Sequence, residues 1–225
     1  MSQPDLFAEY ATPPALAVFR DRYELRQISG ADATAFLVPR HYLHRPGPCS
    51  LAFGLFDSEN SEQVGAITYG TPSSAPLRRG LAGPEHTHNV AELTRLWVDD
   101  RVPRNGESFL IGNTVRRNTK EFIVSFAEID AGHVGTVYQA TNWLYTGLSA
   151  KRTDWTVEGI DLHGQTWGDK HTVTEMRALY GDRFYLKPRP RKHRYVFVNA
   201  KGGRRRALTR ALRYPQEPYP KAARP

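Results

Sequence analysis

The sequence is short of sulfur: 225 residues carry one cysteine, Cys49, and two methionines. A lone thiol excludes an intramolecular disulfide framework and any zinc site built from several thiolates, and it suits a reducing compartment. Eighteen consecutive apolar residues occur nowhere, so no transmembrane helix is expected. The opening MSQPDLFAEYATPP lacks the basic segment and apolar run of a secretory signal, so the expectation is a soluble, cytoplasmic protein. Also missing are a Gly-x-Ser-x-Gly elbow, a Walker loop, a Cys-x-x-Cys pair and a His-Glu-x-x-His helix. Ordinary hydrolase, nucleotide triphosphatase and zinc-enzyme chemistry therefore has no motif behind it. No internal repeat or low-complexity block appears.

Acid is scarce in one place only. From Lys187 to the C-terminus thirteen Lys and Arg face a single acid, Glu217, a local charge of +12 that leaves about −4 on the rest of a chain whose net charge is +8. A near-neutral body with a basic end fits a polyanionic partner, nucleic acid first. Charge alone equally admits a solvated, solubilising tail. The aromatics Tyr195, Phe197, Tyr214 and Tyr219 among the arginines favour a nucleic-acid surface, because they can stack beside bases.

What is present reads as alternating strands and helices. YELRQI (23–28) alternates like a strand, and SGADATAFLVPRHY reads as a Ser-capped helix ending near Pro39. SLAFGLFD and QVGAITYG form a hairpin about a polar turn. The Gly, Pro and Ser-rich segment 71–88 is expected to be a loop, and NVAELTRLWVDD a longer strand. A helix is expected from Ser108 to about Lys120, and the nearly continuous apolar run EFIVSFAE reads as a central strand covered on both faces. GHVGTVYQATNWLYTG (132–147) is expected to be one helix with a polar, uncharged face that puts Tyr138, Asn142 and Tyr145 together. A short helix in TVTEMRALYG and a last strand in HRYVFVN complete an α/β mixed sheet with helices on both faces.

Several residues stand where chemistry is done. His41 and Tyr42 lie where a helix meets a proline-broken loop, a place suited to acid and base work or simply to packing. His41 and His44 have the spacing of a metal pair with no third ligand nearby. Glu128 ends the central strand, and carboxyl ends of strands in open α/β sheets are where ligands sit. Asp130 is read as a turn residue. In PRNGES, the residues Asn105, Gly106 and Ser108 can offer backbone N–H groups to a phosphate at a helix start, or simply make a turn and cap.

Taken together, HYLHRPGP, ELTRLWVDD, SFAEIDAGHVGTVYQATNWLYTGLSAKRTDW, LHGQT, YGDRFYLKPRPRKHRY and LRYPQEPYPK resemble the Mom family of phage DNA-modification proteins, from about Arg40 to Lys221. The resemblance implies a GNAT-like acyltransferase fold and a transferase that converts adenine in phage DNA to its N6-carbamoylmethyl (methylcarbamoyl) derivative, shielding it from restriction, in the cytoplasm of the host bacterium. It implies catalytic roles for His41, Tyr42, Glu128 and Tyr138, with Glu128 or His41 as base and Tyr42 or Tyr138 as acid or orienting donor. Glu128 stands where many relatives carry aspartate. Arg95, Asn105, Gly106 and Ser108 would hold a coenzyme such as acetyl-CoA, and iron is a second implied cofactor. Double-stranded DNA and a small-molecule donor are the implied partners. The phosphate contacts would fall on Arg189, Arg191, Lys192, Arg194, Arg204, Arg205, Arg206 and Arg210. The expected organisation is an N-terminal extension (1–22), a catalytic domain (23–200) and a basic tail (201–225). The rivals are a non-catalytic DNA-binding protein and an acetyltransferase acting on a non-DNA amine.

Overall fold

A computed structural model describes residue 19 and residues 21–129, 132–160 and 170–221. Most of the expected N-terminal extension, Asp130 and the LHGQT phrase lie outside them. In chain order the elements are β1 (Tyr23–Ile28), α1 (Gly30–Leu37), β2 (Leu51–Asp57), β3 (Gln63–Gly70), α2 (Ala75–Ala82), β4 (Val90–Val98), α3 (Gly106–Thr114), β5 (Phe122–Glu128), α4 (Thr136–Ala140), β6 (Leu144–Leu148), β7 (Arg152–Val157), α5 (Val173–Tyr180), β8 (Phe184–Arg189), β9 (Lys192–Val198) and α6 (Gly202–Ala211).

Seven strands form one sheet in the order β1-β2-β3-β4-β5-β9-β6. All neighbours are antiparallel except β4 and β5. Strand alternation decides the layers. Phe53, Ile67, Ile123, Tyr195 and Phe197 point to one face, where α3 and α4 pack, while Phe122, Val124, Val196 and Val198 point to the other, against Leu81 of α2 and Leu208 of α6. This is the mixed α/β sheet with helices on both faces that the sequence order implies. β5 is apolar along its length because both of its faces are covered. A second, two-stranded sheet of β7 and β8 closes over α5 through a small core of Val157, Met176 and Phe184. Among the described residues no helix is long and apolar enough to cross a membrane.

Local chemistry sets the helix starts. Ser29 accepts from Asp32 N at α1, and Thr172 and Glu175 make a reciprocal capping box at α5. Segment 71–88 is not a loop: Ser74 caps α2, and a 3-10 turn over Pro84–Asn89 follows it. The uncharged stretch 132–147 is not one helix. α4 has only five residues, Asn142 takes a left-handed conformation (φ 59°), and the chain enters β6 at the sheet edge beside β9. Tyr145 therefore lies on a strand rather than on the helix of Tyr138, and the expected stack of three side chains does not form. The expected helix from Ser108 begins at Gly106, ends at Thr114 and tightens to a 3-10 turn over Val115–Arg117. The strand β8 had no counterpart in the sequence reading.

The basic end is helical at its start. α6 packs Leu208 into the sheet, and the chain then returns along the edge: Glu217 N donates to Tyr145 O, and the Tyr219 hydroxyl donates to Trp143 O. Tyr195 and Phe197 are core residues, so the structure gives them no surface on which a base could stack.

Candidate active site

The parallel ladder between β4 and β5 lasts three residue pairs, ending at Glu92↔Val124. Beyond it both strands continue, to Val98 and Glu128, without pairing to each other. Ser125 bridges the split, its Oγ reaching Leu93 O at 3.1 Å in place of a ladder hydrogen bond. The opening holds a cavity of about 380 Å³. Its walls are Glu92 to Leu96 and Ser125 to Glu128, with the 132–138 segment across one side and His41 to Leu43 across another. It lies at the carboxyl ends of two parallel strands, where the backbone leaves room between side chains.

The structure brings His41, Tyr42, Glu128, Tyr138 and Arg95 to this cavity. His41 hangs from the end of α1, its backbone N–H donating to Leu37 O at 2.8 Å. Its Nδ1 accepts from the Leu43 N–H at 3.2 Å, so the neutral ring carries its proton on Nε2. Burial, then the neighbouring Arg95, push the imidazole pKa down to about 4. His41 is therefore neutral at physiological pH, with Nδ1 engaged by Leu43 N–H and Nε2–H as a donor. Tyr42 stacks on it, ring centroids 4.4 Å apart. Although 54 % of Tyr42 is open to solvent, its phenol end faces the Glu128 carboxylate; burial and that charge push its pKa up to about 12.

Tyr138 is buried, and burial raises its pKa to about 12, so it stays a phenol. Its hydroxyl lies 2.8 Å from Ser125 Oγ. A serine hydroxyl has one hydrogen, and Leu93 O can only accept, so the chain of donors runs Tyr138 to Ser125 to Leu93. Gly135, ahead of α4, is held by its neighbours: Tyr195 donates to Val134 O, and the two hydrogens of Gln139 Nε2 are shared among Val134 O (3.1 Å), the Tyr195 hydroxyl (3.1 Å) and Pro220 O (3.3 Å). The polar, uncharged residues of this stretch are thus internal fasteners of the cavity wall.

Arg95 has a different task from the one its charge implies. Its guanidinium donates to Arg45 O (3.2 Å), Thr94 O (2.6 Å) and Pro46 O (3.1 Å). It ties the loop that follows His41 and Tyr42 to β4 and has little left for a coenzyme phosphate. Asn105, Gly106 and Ser108 do not line the cavity. Asn105 is left-handed (φ 79°) and makes no side-chain cap, leaving the first N–H groups of α3 free. A Cβ on Gly106 would lie 2.9 Å from Val98 and Val102, so packing alone explains that glycine.

Glu128 forms an ion pair with its cross-strand partner Lys192. One cavity group escaped the sequence reading. Glu92, at the apex of the split, is partly buried, accepts no hydrogen bond among the described residues, and desolvation raises its pKa above the ordinary value, with Arg95 and Lys192 opposing. A lone acid alternating with apolar and hydroxyl residues in VAELTRLWV was the available signal.

The residues implied for phosphate contact scatter. Arg194 is buried, bonded to Thr146 Oγ1 (2.9 Å) and Thr146 O (2.6 Å) and lying over the Tyr214 ring, so it cannot reach a phosphate. Arg189 pairs with Asp154, Arg191 donates to Ser149 O and Leu148 O, and Lys192 holds Glu128. Arg204 pairs with Glu121, Arg205 lies against Phe197, and Arg206 and Arg210 are exposed. Iron does not fit: among the described residues no three His, Cys, Asp or Glu side chains converge to hold a metal. His41 Nδ1 is occupied by Leu43 N–H, and His44 Nδ1 lies 3.2 Å from Val38 O.

The methylcarbamoylase Mom of Escherichia phage Mu is 25 % identical to the chain over 203 residues, covering 84 % of this chain and 80 % of that protein. Among solved structures, ribosomal-protein-S5-alanine acetyltransferase from Vibrio fischeri overlaps 80 % of this chain and 94 % of its own at 11 % identity and a TM-score of 0.45. A spermidine N-acetyltransferase SpeG mutant from Vibrio cholerae overlaps 80 % and 95 % at 10 % identity and a TM-score of 0.44. Residues 22–221 match the Mom protein family, and the chain belongs to it.

Proposed function

We propose that this chain is a phage DNA-modification transferase that attaches a carbamoylmethyl-type group to N6 of adenine in double-stranded DNA and so protects that DNA from host restriction. The phage Mu relative is named a methylcarbamoylase. The observation that carries the reading is one cavity in which Glu92, a carboxylate with no hydrogen-bond partner among the described residues, shares the walls with a fixed neutral donor, His41 Nε2–H, and with the Tyr138 hydroxyl oxygen, whose own hydrogen is engaged by Ser125. A non-catalytic DNA binder has no use for a cavity-lining acid that no hydrogen bond engages.

The N6 lone pair of adenine is delocalised into the ring, so attack needs a placed electrophile and a proton acceptor. The base leaves the duplex at a cost of a few kcal/mol. The N6–carbon bond forms as the donor's carbon–leaving-group bond breaks, its electron pair departing with the leaving group, and the N6 proton passes to Glu92. Tyr138, anchored by Ser125, and His41 orient the base and the donor's amide. Glu128, neutralised by Lys192, holds the Tyr42 phenol at the mouth. An acyl coenzyme, if used, would rest its phosphates on the free N–H groups of Gly106, Glu107 and Ser108; its thioester activates a carbonyl carbon, so it would supply a two-carbon acyl unit rather than the carbamoylmethyl carbon that N6 attacks. Arg95 acts instead as a positioning residue.

The test is expression with a plasmid in bacteria, digestion of the DNA to nucleosides and mass measurement. Deoxyadenosine heavier by one carbamoylmethyl group is expected, with its yield cut sharply in Tyr138→Phe. Unmodified nucleosides from folded, soluble protein, or an acetyl increment on some other amine, would sink the reading.

His41 gives a separate expectation. Because its Nε2–H is the working atom, His41→Gln, which keeps a donor at a similar reach, should retain more activity than His41→Ala. Its folded pKa lies below the unfolded value, so its stabilising contribution is full above about 6.5 and is lost as pH falls toward 4. Thermal melts from pH 7 to pH 4 should show a shallower loss of Tm in His41→Gln than in the native chain.

A further inference from the structure

We infer that the end of the sheet remote from the cavity carries a second DNA contact, a phosphate-binding patch made by Arg116, Arg117, Lys120, Lys201, Arg205 and Arg206. The inference rests on duplex DNA being the substrate and deepens that reading by saying where the duplex lies.

Three segments meet there: the 3-10 turn after α3, the loop into β5, and the turn from β9 into α6. They are locked together. Asn199 Nδ2 donates to Asn118 O (2.8 Å) and Lys120 O (3.2 Å), Asn199 N donates to Glu121 O (2.7 Å), and Arg204 donates twice to Glu121 (2.8 and 2.6 Å). Glu121 also takes Asn89 Nδ2 at 2.6 Å, so the local acid is fully engaged. The cations around it are not. Among the described residues, Arg116, Arg117, Lys120, Lys201, Arg205 and Arg206 make no hydrogen bond or ion pair with a carboxylate. Arg116 and Arg205 instead lie over the same ring, Phe197, with guanidinium carbons 5.1 and 5.7 Å from its centroid, and Arg117 lies over Phe53 at 5.5 Å.

Two guanidiniums over one buried ring repel each other with no counter-ion between them. Their packing on Phe197 fixes their positions, and a row of phosphates supplies the missing charge. An extended polyanion suits this arrangement better than a single small anion, because the cations come from three separate segments rather than from one pocket.

The patch flanks the start of β5 and the cavity lies at its end. Seven residues of strand span about 20 Å, the axial rise of about six base pairs. A duplex lying along the sheet would present its extruded base to the cavity while its backbone, about six base pairs away, rests on the patch. The basic helix α6 therefore grips the duplex at a distance from the reacting base rather than beside it.

The experiment measures binding of the full chain to a 20-base-pair duplex by fluorescence anisotropy across a salt series, with initial rates of modification. Arg116→Gln, Arg117→Gln and Arg205→Gln are combined; glutamine keeps part of the stem over the rings, and circular dichroism confirms the fold. The expected result is weaker binding, a log K against log salt slope shallower by about 2–3, a raised KM and an unchanged kcat. Duplexes ending within about six base pairs of the target on one side should bind the native chain less well and the variant no differently. An unchanged slope with native binding intact overturns the patch alone. Failure of the native chain to bind duplex DNA overturns the functional reading beneath it.

Discussion

Replacing Glu92 by Gln is expected to lower the initial rate of adenine modification by about 10²–10⁴-fold, the range for loss of a positioned proton acceptor. The amide fills the space of the carboxylate and can still accept a hydrogen bond, but it takes no proton. Folding should not suffer. The folded carboxyl is raised above its unfolded value, so the stability it contributes is present at low pH and lost as pH rises through the raised pKa. Once ionised the group is a burden, and Glu92→Gln should match or exceed the native Tm. A residue that costs stability while the rate depends on it is serving the reaction. In the native enzyme the rate should climb with pH through a pKa above the usual 4.5, and Glu92→Asp should recover part of the rate with its shorter reach. If Glu92→Gln modifies DNA at the native rate, the acceptor lies elsewhere, with Glu128 next to be replaced.

Gly135→Ala should damage both stability and activity. Gly135 has φ 74°, where a side chain costs ~1–2 kcal/mol. Its Cβ would lie 2.4 Å from Tyr195 Cε2 and 3.1 Å from Tyr138 Cδ2, both in buried rings that have nowhere to go. Overpacking of that kind adds ~1–3 kcal/mol. The Tm should fall by on the order of 10 °C in a chain of this size. Activity should be lost beyond what instability explains, because the Tyr195 ring must move and the Tyr138 ring packed on it must give as well. Gly132→Ala is the matched control: it is also left-handed (φ 70°), but a Cβ there meets nothing within 4 Å. It should show only the backbone cost. Equal loss in the two variants would mean that the contact with the tyrosines is unimportant.

Periodicity made the large sheet legible. Alternation in β1 to β4 and the apolar run of β5 reflect which faces are covered, and covering is written into the residues themselves. Short-range signals also held where chemistry is local, as with Ser29 capping α1. They failed where distant contacts decide. The stretch 132–147 has helical spacing throughout, yet its second half gains more by pairing with β9 than by extending a five-residue helix. The glycines and prolines of 71–88 looked like a loop because a helix capped by Ser74 and held on Leu81 needs the sheet to be present.

The sequence by itself determined the mixed α/β architecture, the basic end and the membership of this chain in its family, because each depends on residue order and type alone. Only the tertiary structure decided what each charge does. Arg95 and Arg194 became internal ties, His41 a neutral donor, Glu128 the partner of Lys192 and Glu92 a cavity acid with no hydrogen bond among the described residues. The physical reason is that a side chain's protonation and reach depend on burial and on partners many tens of residues away, such as Lys192 for Glu128 or Glu121 for Arg204. Those distances in sequence are closed only by the sheet, and where its two parallel strands part, the cavity follows.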